Sequence, residues 1–252
     1  MLIERLIPCL LVQSGGLCKT VRFKDPSYLG DPVNAVKIFS DKEADEIVVI
    51  DIGATATGQG PDFDLIADIA AQAFMPVCYG GGVSSLAQME RLFTLGVEKV
   101  MLSTQAHDSP DLIATAARHF GSQSVVVCLD CRKPLFHSRY AVYTKRGKQR
   151  LAEPLLDAAR RFEALGAGEI VLNNIDRDGT MKGYDHVLVA GITSQLSIPV
   201  VTLGGANSLD DMRGALRLSG AAGAAAGSLF SFRWPERAVL INYPKDRPTF
   251  RP

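Results

Sequence analysis

The sequence has no excess charge of either sign, since its 252 residues hold 27 lysines and arginines against 27 aspartates and glutamates. Without a chain-wide field, nothing in the composition points to nucleic acid or to an anionic membrane, and partners must be selected locally. A membrane-length apolar stretch is also missing, as no run approaches the about 18 consecutive apolar residues that a span needs. The apolar segment from Met1 to Val12 is short, contains Pro8 and lacks a small-residue cleavage site, so it is expected to be a first strand and not a secretion signal. These absences predict a cytoplasmic protein. Cysteines are few and odd in number (Cys9, Cys18, Cys78, Cys128 and Cys131), which argues against a disulfide scaffold. Cys128 and Cys131 form a CxxC, but it lies in the β-rich run VVVCLDC instead of opening a helix as a redox pair does, so free thiols are expected. The histidines, His107, His119, His137 and His186, show neither HxH nor HExxH spacing and are expected to be surface or capping residues. No metal or cofactor is expected.

What is present is a regular alternation. Apolar, β-branched runs recur as LIPCLLV, IVVIDI, MPVCYG, KVMLS, SVVVCLD, EIVLNN, IPVVTLG and GAAAGS, with amphipathic segments between them. Runs that are apolar throughout, without strict alternation, are what parallel strands covered by helices on the outside require. Asp31-Pro32, Ser109-Pro110 and Asn207 each place a capping residue ahead of a helical pattern. The motif GGVSSLxxM at Gly81 to Met89 returns as GGANSLxxM at Gly204 to Met212, an offset of 123 positions, half the chain. A half-length repeat of four βα units closes naturally into an eight-stranded ring. The predicted fold is therefore a single-domain (β/α)8 TIM barrel of two half-barrels, about residues 1–122 and 123–252. Two long connections, 13–30 and 131–150, follow the first and fifth strands, on the face where barrels of this kind place their chemistry. The second contains Arg132, Lys133, Arg139, Lys145, Arg146, Lys148 and Arg150 with no acid, and reads as a hairpin turning at Gly147. Prolines at 235, 244, 248 and 252 leave the last stretch, 233–252, without a clear helix, so the eighth helix is expected to be shortened or replaced.

The duplicated turns, Gly81-Gly82 and Gly204-Gly205, and the small strand ends, Ser103-Thr104 and Gly227-Ser228, bring bare backbone to helix N-termini. That is the chemistry of a phosphate site, and two such sites predict a substrate with an anionic group at each end. The alternation of barrel layers also predicts one interior layer of Cys9, Cys78, Cys128 and Val201.

In order, and over almost the whole chain, IPCL, DPV, GGGV, FGSQSVVV, EALGAGEI, DRDGTMKGYD and IPVVTLGGA resemble the cyclase subunits of imidazole glycerol phosphate synthase, the HisF type. DRDGT followed by GYD, downstream of a GGG turn, is specific to that family among barrels. The resemblance implies a glutamine amidotransferase complex in which a HisH-type glutaminase docks at the N-terminal barrel face and ammonia passes through the barrel to a phosphorylated substrate. Carried over position by position, it implies catalytic roles for Asp130, Lys19 and Asp178. It implies substrate or phosphate binding by Asp51, Gly82, Thr104, Asp176, Gly179, Gly205 and Ser228, beside Gly81, Ser103, Gly204 and Gly227 of the duplicated turns. It implies an ammonia gate of Arg5, Glu46, Lys99 and Glu169. The second acid/base aspartate of the family falls on Leu11, which cannot transfer a proton. That departure favours a diverged branch serving amidination of surface-polysaccharide (acetamidino) sugars, where the basic hairpin would suit a nucleotide sugar. The alternatives are an authentic histidine-pathway cyclase, a non-catalytic ammonia conduit between a glutaminase and an ATP-dependent amidating enzyme, and a stand-alone isomerase of the related aminoaldose type.

Overall fold

A computed structural model describes residues 5–134, 139–233 and 238–244. Eight parallel strands form the centre: β1 (Arg5–Gln13), β2 (Ile47–Asp51), β3 (Val77–Gly80), β4 (Lys99–Leu102), β5 (Val125–Arg132), β6 (Glu169–Asn174), β7 (Val200–Leu203) and β8 (Gly223–Ala226). Each pairs with the next, and β8 pairs back to β1, so no edge is left open. The register fixes the barrel type. Stepping from Cys9 to Val48, Cys78 and Lys99, and onward by the successive offsets, the path regains β1 eight residues before its start. Eight strands with that stagger define a (β/α)8 barrel.

Among the described residues, seven helices of eight residues or more cover the outside: α1 (Pro32–Asp41), α2 (Phe63–Gln72), α3 (Leu86–Thr94), α4 (Asp111–Phe120), α5 (Leu155–Ala164), α6 (His186–Thr193) and α7 (Leu209–Arg217). After β8 the described chain forms only the four-residue turn Ser228–Ser231 and a short strand pair, Phe232–Arg233 with Ala238–Val239. Tyr243 then fills the space an eighth helix would take, packing on Phe39 and Phe230 and donating its hydroxyl to the Leu6 carbonyl at 2.9 Å. The rest of the expected proline-rich stretch, including Pro248 and Pro252, lies outside the described residues. Asp31 caps α1 as its sequence predicts, accepting from the amides of Val33 and Asn34. The other two expected caps are corrected. Helix α4 begins at Pro110 with no side-chain cap, and α7 is capped by Ser208, because its hydroxyl and not the Asn207 amide reaches the Asp211 N–H.

Both long connections are hairpins grafted on strand ends. Gly16–Val21 pairs antiparallel with β1 and with Lys24–Gly30, while Ala141–Thr144 pairs with β5 and with Gln149–Pro154, turning through Lys145, Arg146 and Gly147 at positive φ. Residues 135–138, which include His137, lie outside the described residues.

Inward side chains fall in layers of four, from alternate strands, because the stagger advances equal height by one residue per strand. The expected layer of Cys9, Cys78, Cys128 and Val201 does not exist. The register puts Cys9 and Cys128 level with Gly80 and Leu203, and Cys78 and Val201 one odd-strand layer lower with Ile7 and Val126. Spacing along a strand fixes side-chain direction, but the strand tilt separates residues paired in a ladder along the barrel axis. These residues nonetheless form one apolar axial core, distinct from the larger core between strands and helices. All five cysteines are buried thiols.

Candidate functional site

At the N-terminal mouth the lowest even-strand layer brings Glu46, Lys99 and Glu169 to one height, with Gly223 as its fourth member. A Cβ on Gly223 would lie 2.9 Å from the Ile7 side chain and 3.0 Å from that of Val201, so a glycine there leaves room for these two side chains of the layer above. Arg5 bonds Glu46 at 2.5 Å and Glu169 at 3.1 and 3.2 Å, and Lys99 Nζ bonds both Glu46 oxygens and Glu169 at 2.9 to 3.0 Å. Each cation therefore bridges both anions in a closed ring. Burial works against charge on Arg5 and Lys99, but Glu169 and Glu46 outweigh it and hold both cations above their ordinary pKa.

At the opposite mouth, Lys19, Asp178, Gly179, Gly204, Gly205, Gly227 and Ser228 line one cavity together with Met181. Lys19 is 6% exposed, and its ammonium occupies the space that a side chain on Gly227 would fill. Asp178 accepts from Thr20 Oγ1 at 3.0 Å, tying the first hairpin to the DRDGT turn. The second glycine turn, Gly204-Gly205, needs glycine where it crosses the chain at Gly183. Gly205 has φ +116, and a Cβ on it would sit 2.4 Å from the Gly183 carbonyl oxygen, which accepts nothing bulkier than the bare chain.

The first-half turn is built differently. Gly81 and Gly82 pack against Asp51, Ala54 and Gly60. Asp51 accepts from the amides of Gly53 and Ala54 at 2.7 and 3.0 Å, and burial raises its pKa. Thr104 Oγ1 accepts the Lys145 amide of the basic hairpin, and Asp176 pairs with Arg132 at 3.1 Å and accepts the Lys133 amide. Hydroxyl donation from Tyr140 to Asp185, which caps α6, is a further tie of that hairpin to the rim.

Between these groups, on the axis, lies Asp130. It is 9% exposed, and burial pushes its pKa up to about 6, against hydrogen bonds from Asn173, Ser103 and Cys128 that favour the ionised form. Asn173 Nδ2 donates to Oδ1 at 2.8 Å and Ser103 Oγ donates to Oδ2 at 3.1 Å. Opposite Asp130, in the same uppermost layer, stands Leu11. Sequence reasoning missed Asn173 and Thr20. The signal for the first was present, a polar pair Asn173-Asn174 ending an otherwise apolar strand. The described histidines are held by local partners: His107 packs edge-on against Phe162 beside Arg161, His119 packs edge-on against Phe120, and His186 bonds Ser219 and Asp211 at 2.9 Å.

Fold and site together define a (β/α)8 barrel with duplicated glycine turns at one mouth and a charged ring at the other. The family model described as histidine biosynthesis protein matches residues 5–233. A Pseudomonas aeruginosa protein provisionally named imidazole glycerol phosphate synthase subunit hisF2 is 47% identical over 96% of both chains. A Leptospira borgpetersenii protein provisionally named as subunit HisF of the same synthase is 47% identical over 97% of this chain and 96% of its own. The imidazole glycerol phosphate synthase subunit HisF of Alkaliphilus metalliredigens is 38% identical over 92% of both. This chain belongs to the HisA/HisF family of histidine biosynthesis proteins. No described helix is long and apolar enough to cross a membrane.

Proposed function

We propose that the chain is the synthase subunit of a glutamine amidotransferase complex, taking ammonia from a HisH-type glutaminase and delivering it in the cytoplasm to an anionic substrate held at the C-terminal mouth. The observation that carries this reading is the closed ring of Arg5, Glu46, Lys99 and Glu169 at one end of an axis whose other end holds Asp130. A ring of four charges over the barrel's opening has no structural task that an apolar plug would not serve better, because desolvating such charges offsets most of their mutual attraction. The same face offers apolar surface to a partner. Phe74 and Leu218, in the connections entering β3 and β8, are 91% and 85% exposed, and a cavity beside Lys99 is lined by Phe93 and Phe120.

Lys19, with the glycine turns around it, supports binding of a phosphate group, since a buried ammonium that bonds no carboxylate among the described residues, beside bare amides, is a site for an anion. The residues Gly204, Gly205, Gly227 and Ser228 would hold one group, and Gly81, Gly82, Ser103 and Thr104, reached through Asp51 and Asp176, the other. Leu11 favours a branch that has left the histidine pathway for amidination of surface-polysaccharide sugars. A single carboxylate relays one proton at a time, and loss of a general acid or base costs about 100-fold or more.

The test joins two measurements. With a HisH-type glutaminase, the chain is expected to raise glutamine hydrolysis, and Lys99→Met is expected to uncouple ammonia transfer from it. Expression in a histidine auxotroph lacking its own cyclase is expected to give no robust growth. Growth at the wild-type rate would return the chain to the histidine pathway.

A further inference from the structure

The amide of Asn173 is half used. Its Nδ2 is committed to Asp130, but its carbonyl oxygen is buried and has no hydrogen-bond partner among the described residues. The residue is only 5% exposed, so the orphan acceptor carries the desolvation penalty of a lost hydrogen bond. It points toward the site, because Oδ1 lies 3.2 Å from where a Cβ of Gly204 would be, at the foot of the second glycine turn. Asn173 projects inward on β6, level with Ser103 just past the end of β4 and just below Asp130.

The chemistry around this oxygen is one-sided. Three donors of this region are spent on Asp130: Ser103 Oγ, Asn173 Nδ2 and the Cys128 thiol at 3.7 Å. Beside Asp130 on β5 and β6, two acceptors are left, the Asn173 carbonyl and the remaining lone pairs of a carboxylate that is ionised above about pH 6, while the Lys19 ammonium lies across at Gly227. Leu11 opposite offers neither kind of group. An unprotonated phosphate oxygen arriving here would bring lone pairs to lone pairs. Ammonia or a primary amine brings two or three N–H donors to these acceptors and keeps a single lone pair for attack.

We propose that Asn173 is the positioning residue for the nitrogen nucleophile: its carbonyl accepts an N–H of ammonia or a primary amine beside Asp130, while its amide NH2 holds that carboxylate in place. This rests on reading the C-terminal end of the axis as the place where nitrogen meets substrate, and adds which atom receives it. Converging acceptors orient the nitrogen's hydrogens toward β5 and β6 and leave its lone pair facing the glycine turns, the direction from which an electrophile held there would be attacked.

The full-length protein, labelled with 13C and 15N, is titrated at pH 7.5 with ammonium chloride and, separately, with tetramethylammonium chloride at the same ionic strength. These cations share a charge, but only the first has N–H groups. Ammonium is expected to shift the Asp130 carboxyl carbon and the Asn173 side-chain amide saturably, tetramethylammonium to leave both in place, and Asn173→Leu to weaken the ammonium response at least tenfold. Equal responses to the two salts, or an ammonium response undiminished in Asn173→Leu, would overturn the assignment. The two-salt comparison needs no variant, so it decides even if Asn173→Leu fails to fold. Inorganic phosphate titrated on the same sample separates the two readings. A phosphate response at Gly205 and Ser228 without an ammonium response removes the role of Asn173 alone, whereas no phosphate response removes the proposed substrate class.

Discussion

Leu11 on β1 and Asp130 on β5 face each other across the uppermost layer of the barrel interior, an apolar side chain set against a carboxylate held by three donors. The pair divides the mouth chemically. One wall can hold and release a proton, and the other can only exclude water from it.

A second carboxylate placed there should be felt at once. Leu11→Asp is expected to raise the Asp130 titration midpoint above about 6, since a like charge across the layer disfavours ionisation. Following the Asp130 carboxyl carbon by NMR from pH 4 to 9 reads this directly. An unmoved midpoint would mean that the two positions are electrostatically independent.

Asp130 also makes stability depend on pH. Its folded pKa of about 6 lies above the ordinary value of 3.8, so the folded chain binds this proton more tightly than the unfolded one. The resulting stabilisation is complete below about pH 4 and is lost as pH rises toward about 6. Asp130→Asn should remove that dependence, so the difference in unfolding free energy between variant and wild type should move by roughly 2 kcal/mol in favour of the variant between pH 4 and 7.5. Urea denaturation at the two pH values measures it, and a constant difference would contradict the burial argument.

The charged ring should be costly to break and cheap to dismantle. Glu46→Ala leaves Arg5 and Lys99 sharing Glu169 alone and is expected to destabilise by about 3 kcal/mol, the lower end for a broken buried pair. Adding Lys99→Met should restore part of that loss, because one unpaired charge goes with it. If the double variant is no more stable than Glu46→Ala, the four groups do not act as a unit.

Two glycines give a matched contrast. Gly205→Ala puts a Cβ 2.4 Å from the Gly183 carbonyl at φ +116 and should cost well over about 1 kcal/mol while weakening phosphate binding. Gly191, in the interior of α6 with nothing near its missing Cβ, should gain about 0.5 to 1 kcal/mol when changed to alanine. Thermal melts of the two variants check both signs.

All eight strands were legible as apolar runs, and the barrel as their number together with the half-length repeat, because a strand buried on both faces must be apolar along its length whatever its neighbours are. The hairpin turn at Gly147 and the Asp31 cap were legible for the same local reason. The caps of α4 and α7 were not, since adjacent residues such as Asn207 and Ser208 have equal claims until the backbone angle chooses one.

The amino-acid sequence by itself therefore determined the alternation of strand and helix, the position of the glycine turns and the family to which the chain belongs. Tertiary structure alone decided which inward residues share a height. Local spacing says which way a side chain points, but the stagger of a closed barrel is a property of all eight pairings at once. That stagger separates Cys9 from Cys78, gathers Glu46, Lys99 and Glu169 into one layer above Arg5, and sets Asn173 beneath Asp130 with its carbonyl oxygen unpaired.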